Sequence, residues 1–353
     1  MIMSFAPYNK SEIETGIVYD AGPRQYPYIE TPISPIENWK LAMNHQKPCW
    51  LPMRGDGVNF TPRCIPDNVS RVFINDGGPA MPPVGGKDMF GIDWVYVPVA
   101  RGSMVRPGAP AMEEVADWKT AIQIPDVDSW DWAGNAELAK EYLADNRFKV
   151  GWHFTGYFER LISFMDFENA ALAMIDEDQE EDLHELFQVI TDVYKKIIKK
   201  QKEYFNIDML FFHDDWGGQQ NPFFSLETCR KMLVPYFKQI VECCHENDII
   251  MNFHNCGKNE KLLPAIVEFG ADCWSGQPIN DKDLLNELYG DKVMIGIECP
   301  VPENATDEEV DKIAREFVEK YWPTYPERPV YLEETRTNPR LRTRIYEISR
   351  QMP

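Results

Sequence analysis

A (β/α)8 barrel is the fold that the sequence predicts, on three observations. Short apolar runs alternate with longer amphipathic ones over most of the 353 residues, the pattern of repeated β-α units. Eight of the short runs can be placed as strands, the number that closes a parallel barrel. Ionisable and aromatic residues gather where those runs end, the face on which such a barrel carries its active site.

In chain order, residues 1–35 are rich in Pro, Gly and Tyr without a sustained period and are read as an N-terminal extension, with 36–353 as the barrel. The expected strands are PCWLPM (48–53), DWVYVPV (93–99), KVGWHFT (149–155), DMLFFHDD (208–215), IIMNFHNC (249–256), ADCWSG (271–276), VMIGIEC (293–299) and PVYLEE (329–334). Residues 55–90, which contain NDGGPAMPPVGGKD, read as a long insertion after the first strand. Helices are expected over 179–205, 226–246, 259–269, 281–289 and 306–322. Ser225 gives a start signal for the second of these, and Thr306 with Glu309 forms a capping box at the last.

A hydrophobic content of 44% with ten Trp is enough for a sizeable core. The net charge of −21 repels phosphate backbones and anionic bilayers, and no long Lys/Arg run offsets it, so nucleic acid and membrane are excluded as partners. No apolar stretch is long enough to span a bilayer and the N-terminus has no signal-peptide pattern, so a cytoplasmic protein is expected. The eight Cys form no small-domain framework, which favours free thiols or metal ligands over disulfides.

The strand ends name the candidate site. They carry Arg54, His153, the run His213, Asp214, Asp215 and Trp216, then His254 and Cys256, Trp274 and Gln277, Glu298 and Cys299, and Glu333 and Glu334. His254 and Cys256 stand two residues apart, so on a strand they share a face and offer two soft ligands to Zn²⁺. A third ligand is needed and stays open among Glu298, Cys299, Glu333 and Glu334. The alternative is a buried thiol beside a histidine that bonds a carboxylate or a substrate oxygen. Of the adjacent carboxylates Asp214 and Asp215, one can face the barrel mouth as a general base, hydrogen-bond acceptor or counter-ion while the other braces a loop, and Asp215, His213 and His153 are the catalytic candidates. Arg54 can pair with an anionic substrate or with a rim carboxylate. Trp216, Trp274 and Gln277 are candidate substrate contacts, although a Trp in a barrel is more often core.

With the strands in place, the chain resembles the uroporphyrinogen decarboxylase superfamily over nearly all of 35–334. The resemblance is carried by ENWKLAMNHQKPCWLPM, by FHDDWGGQQNPFFSLETCRKMLVPYFKQI and by FHNCGKNEKLLPAIVEFGADCWSGQP. Within it, GIDWVYVPVARGSMVRPGAP and the DDWG signature look like the methyltransferase-like members. The decarboxylase branch has an RQAGR motif after its first strand. Here the stretch reads MRGDGVN and only Arg54 matches, which makes porphyrin decarboxylation the weaker expectation. The cobamide-dependent methyltransferase branch holds zinc with a His-x-Cys pair on the fifth strand, matched by His254 and Cys256, and a further Cys on the last strand, where this chain has Glu333-Glu334.

That resemblance implies a TIM barrel and transfer of a methyl group between a small, methoxylated substrate and a corrinoid (cobalamin) carried on a partner protein. It also implies zinc on His254, Cys256 and one of Glu334, Cys299 or Glu298. Family members often pair through one barrel face, so a homodimer is an expectation too. The rival expectations are a metal-free carboxy-lyase using Arg54 and Asp215, and a non-catalytic tetrapyrrole-binding protein.

Overall fold

The computed structural model describes residues 5–20, 25–99, 102–333 and 338–352. The fold is α/β. Among the described residues seven strands form the main sheet: β1 (Gly57–Phe60), β2 (Phe148–His153), β3 (Met209–His213), β4 (Ile250–His254), β5 (Cys273–Trp274), β6 (Met294–Ile297) and β7 (Val330–Leu332). Two compact units share the chain, Met1–Val58 with Asn146–Phe148 and Asp272–Pro353, and Asn59–Asp145 with Lys149–Ala271.

In the second unit β2, β3 and β4 run parallel, with Val150 opposite Met209 and Met209 opposite Ile250. All five residues of β3 are buried, which is why it reads as a continuous apolar run rather than an alternating one. The helix Tyr157–Ala173 follows β2 and Glu180–Phe205 follows that helix, each laying an apolar stripe inward. The sequence reading passed over the first of these and placed the second within a residue. The helix expected at 226–246 is two, Leu226–Met232 and Val234–Glu246. Pro235 explains the break: it has no N–H to donate, and its ring crowds the carbonyl four residues earlier.

An aromatic cluster of Tyr157, Phe187, Phe212, Phe237, Phe253 and Phe269 fills this core. The fully buried Arg160 pairs with Asp67 and, at 2.6 Å, with Asp88, tying 66–94 to the helix. Burial opposes the charge on Arg160, but Asp67, Tyr194 and Asp88 hold it well above its ordinary value.

In the first unit β5, β6 and β7 are parallel, with Cys273 opposite Met294 and Ile295 opposite Val330. Trp39 packs on Tyr331 at 4.9 Å and Trp50 on Tyr346 at 5.6 Å. The helix Asp307–Tyr321 begins at the expected capping box: Thr306 Oγ1 accepts from the Glu309 N–H at 3.3 Å, and Glu309 accepts from the Thr306 N–H at 2.7 Å.

Three strand expectations are corrected. Residues 48–53 form no strand beyond a single parallel bridge from Met53 to Leu332. Asp56 explains this by collecting the Trp39 Nε1, Trp50 Nε1 and Met53 N–H groups at 3.0–3.3 Å, which folds the run into a turn. The strand of the main sheet is Gly57–Phe60, inside the stretch read as an insertion. Residues 93–99 supply Asp93–Val97 to a separate antiparallel sheet with Gly85–Lys87 and Gly102–Val105. The main sheet thus has seven described strands where eight were expected. The extension read as loop also carries an antiparallel pair, Ile13–Asp20 with Gln25–Ile29.

All eight cysteines are free thiols. No helix among the described residues is long and apolar enough to cross a membrane.

Candidate functional site

Two polar clusters form, one within each unit. In the second unit His213 ends β3 and His254 ends β4, and the two are direct partners in the parallel ladder. Their rings lie 5.2 Å apart, centroid to centroid, at 23°. Cys256, two residues past His254, brings its Sγ to 3.6 Å from His254 Nε2 and 3.8 Å from His213 Nε2. One ligand atom from each of His213, His254 and Cys256 falls within 4.8 Å of the others. Two imidazoles and a thiol are a borderline-soft donor set that suits Zn²⁺.

The side chains around the three donors orient them. His213 Nδ1 lies 2.8 Å from the Phe154 carbonyl and 2.9 Å from Glu159 Oε2, both acceptors, so this nitrogen carries a proton and Nε2 is left for the cluster. A histidine fixed through its far nitrogen by a carboxylate is a common supporting arrangement for a metal ligand. Arg71 in turn approaches Glu159 at 3.4 Å and lies 4.7 Å over Trp94.

Asp215 Oδ1 stands 2.9 Å from His213 Nε2 and accepts the Cys256 N–H at 3.0 Å, which sets the loop that carries the thiol. Burial lowers the affinity of His213 for its second proton, but Glu159, Asp215 and Cys256 together raise it well above the ordinary histidine value. Burial acts on Asp215 the other way, and the hydrogen bond and charge of His213 overcome it, holding Asp215 well below the usual carboxylate range. Burial pushes the Cys256 thiol up.

Gly257 makes the loop possible. Its φ is +91°, and a Cβ there would stand 2.1 Å from the Gly217 carbonyl oxygen.

Asp214, beside these groups in sequence, does a different job. It is fully buried and accepts from Phe158 N–H at 3.1 Å, Glu159 N–H at 2.9 Å and Trp216 Nε1 at 2.9 Å, capping the helix Tyr157–Ala173. Burial, then Glu159, pushes its carboxyl up to about 7 against those three donors. Trp216, expected as a substrate contact, is fully buried among Phe224, Phe237, Phe253 and Phe269. His153, expected as catalytic, turns to Tyr194 and Phe212 with Nε2 3.0 Å from the Thr155 carbonyl. Burial lowers its pKa to about 4, so it is a neutral packed histidine.

The first unit gathers Arg54, Ser275, Lys282, Glu298 and Glu333. Arg54 pairs with Glu333, whose other oxygen accepts the Ser275 hydroxyl at 2.5 Å. Lys282 Nζ lies 2.6 Å from Glu298. Burial pulls Lys282 below and Glu298 above their ordinary values, so each is drawn toward neutrality. Glu298 and Cys299, considered as metal ligands, line a cavity of about 490 Å³ with Lys282, Ile313, Phe317 and Tyr321. Burial pushes the Cys299 thiol up to about 12.

Trp274 is fully buried, and Gln277 is half-buried with its carbonyl accepting from Asn280. Glu334, also considered as a ligand, lies outside the described residues. Strand-end reading missed Glu159, which lies in the first turn of a helix, and it did not group His213 with His254 and Cys256.

A family model described as uroporphyrinogen decarboxylase (URO-D) matches residues 137–325, more than half of the chain. No curated protein matches. Among solved structures, the chain aligns with a sugar phosphate isomerase/epimerase from Parabacteroides distasonis ATCC 8503 at 9% identity, over 71% of this chain and 97% of that one. The TM-score of 0.28 is too low for that likeness to carry any argument. The family match spans both histidine-bearing strand ends and the loop of Cys256, and on it the chain belongs to the uroporphyrinogen decarboxylase family.

Proposed function

We propose that this member of the family is a zinc-assisted methyltransferase that moves a methyl group between a small methoxylated substrate and a corrinoid carried by a partner protein. The observation that supports this reading is the convergence of His213, His254 and Cys256 within 4.8 Å, a donor set that decarboxylation does not call for. These three residues would hold the ion. Zinc there supplies a Lewis acid toward a substrate oxygen.

The chain's own groups do the remaining work. The Phe154 carbonyl and Glu159 hold a proton on His213 Nδ1 and turn its Nε2 toward His254 and Cys256, where a bound ion would take the place of any proton on it. Asp215 pins the Cys256 backbone and faces His213 Nε2 at 2.9 Å, a negative charge beside the place where a cation would sit. A methyl carbon needs orientation more than activation when its acceptor is a strong nucleophile, so a rigid pair of strand ends is the right platform.

The test is metal content after purification without chelator. About one equivalent of zinc is expected for wild type and below about 0.2 for His254→Ala and Cys256→Ser, the loss that removing one of three protein ligands produces. The same substoichiometric content in wild type overturns the metal reading. Methyl transfer from a panel of methoxylated aromatics to free cob(I)alamin tests the substrate class, and turnover of a polycarboxylate without zinc would favour the carboxy-lyase instead.

A further inference from the structure

The first unit's polar cluster carries an inference of its own, independent of the chemistry at the histidines. Arg54 is the kind of residue that clamps a substrate carboxylate, because its planar fork matches two oxygens. Here the fork already has a carboxylate, that of Glu333. Glu333 is 3% exposed, Arg54 is partly open to solvent, and Ser275 Oγ holds the second Glu333 oxygen at 2.5 Å.

The space for that carboxylate is built into the fold. Gly296 on β6 faces it, and a Cβ there would stand 2.7 Å from Glu333 Oε2 and 2.5 Å from the Tyr331 ring. Arg54 is likewise placed from below: the turn that carries it is gathered by the Asp56 carboxylate through Trp39, Trp50 and Met53. Lys282 and Glu298 form a second pair 2.6 Å apart. Arg54 and Lys282 thus each stand against a carboxylate of the chain's own.

We propose that Glu333 is an internal counter-ion seated in the carboxylate-binding position of Arg54, and that it sets specificity by excluding carboxylate-bearing ligands and admitting uncharged ones. A buried carboxylate beside Gly296, where a Cβ would crowd it, is a more permanent occupant than a free acid. It brings no loss of translational freedom each time it binds, whereas a competing anion does. A substrate acid approaching Arg54 also meets the Glu333 charge at close range, and like charges in a partly buried site repel strongly.

The test compares tricarballylate binding by calorimetry to wild type, Glu333→Gln and the double variant Glu333→Gln with Arg54→Gln. Removing the Glu333 charge beside the Arg54 guanidinium should tighten binding to Glu333→Gln by at least about tenfold over wild type, and the double variant should lose that gain. Wild-type binding as tight as that of Glu333→Gln overturns the proposal. So does a folded Glu333→Gln, judged by circular dichroism, that gains nothing.

If Glu333→Gln does not fold, phenylglyoxal labelling of wild type gives the answer by peptide mass spectrometry. Arg54 should label at least about tenfold more slowly than the exposed Arg315, because an ion-paired guanidinium reacts poorly. Equal rates would show that Glu333 does not occupy the fork. Since none of these measurements involves zinc or methyl transfer, their failure leaves the proposed function standing, and its failure leaves them interpretable.

Discussion

Two charged clusters of the molecule are built on opposite principles. Around Arg54 and Lys282 the cations stand directly against the chain's own carboxylates, Glu333 and Glu298. Around His213 an imidazole is held between two carboxylates while a second imidazole and a thiol converge on its far nitrogen. The buried Arg160 with Asp67 and Asp88 belongs with the first kind, leaning toward anions, and it joins structural segments. A cluster whose charges are matched internally resists exchange and stiffens the fold. A cluster that brings two imidazoles and a thiol within 4.8 Å has the donor set for a cation. Damage to the first kind should therefore appear in stability, and damage to the second in binding.

The largest expected effect is from Arg160→Leu. It strands two buried carboxylates, Asp67 and Asp88, and should cost about 3–5 kcal/mol of unfolding free energy in denaturant titration. A loss under about 1 kcal/mol would remove this cluster from the stabilising class.

Next comes a pH effect at His153, the histidine used for packing. Its folded pKa of about 4 lies below the ordinary 6.5, so the unfolded chain takes up the proton first as pH falls. The contribution is fully present above pH 6.5 and is lost between 6.5 and 4, roughly 3 kcal/mol across that window. His153→Phe should flatten the slope of stability against pH there. Glu333, held at about 2 by Arg54, Lys282 and Ser275 against the burial that opposes them, contributes to the slope only below 4.5.

Glu159→Gln sharpens the comparison from the other side. It weakens the support of His213 without removing a ligand, and zinc affinity should fall about 10–100-fold by competition with a chromophoric chelator. The smallest expected effect is on the stability of the metal-free protein when Cys256 becomes Ser. The half-buried thiol is surplus there, so the change should stay within about 0.5 kcal/mol. A loss of several kcal/mol would show that the cluster serves the fold as well.

Sequence reading found much of this because strand ends in a parallel sheet must point to one face. FFHDD and NFHNC were legible as buried runs that turn polar, and that pattern placed both histidines and Cys256. Glu159 was not legible by that rule, since it stands six residues past the end of β2 in a helical turn, and only the folded loop brings it to His213.

The 48–53 run misled because Trp50 and Leu51 are buried like strand residues, while the Asp56 carboxylate that bends their backbone is an ordinary Asp in sequence. Residues 93–97 do alternate as a strand should, but nothing in a single sequence says which sheet a strand will join. A single sequence also does not show that His213 and His254 are ladder partners, which is what brings His213 rather than a residue after β6 or β7 beside Cys256.

The pairing of His213 with His254 in the ladder makes the sheet a ruler. Neighbouring strands sit at a spacing near 4.8 Å that backbone hydrogen bonds fix, and the two imidazoles inherit it at 5.2 Å between centroids. A slip of one residue would turn one ring to the opposite face, so intermediate separations are not available. On the proposed function, the ladder would set the size of ion that the pair shares, and a different ion would call for a change of side-chain length at 213 or 254 rather than of the backbone between them.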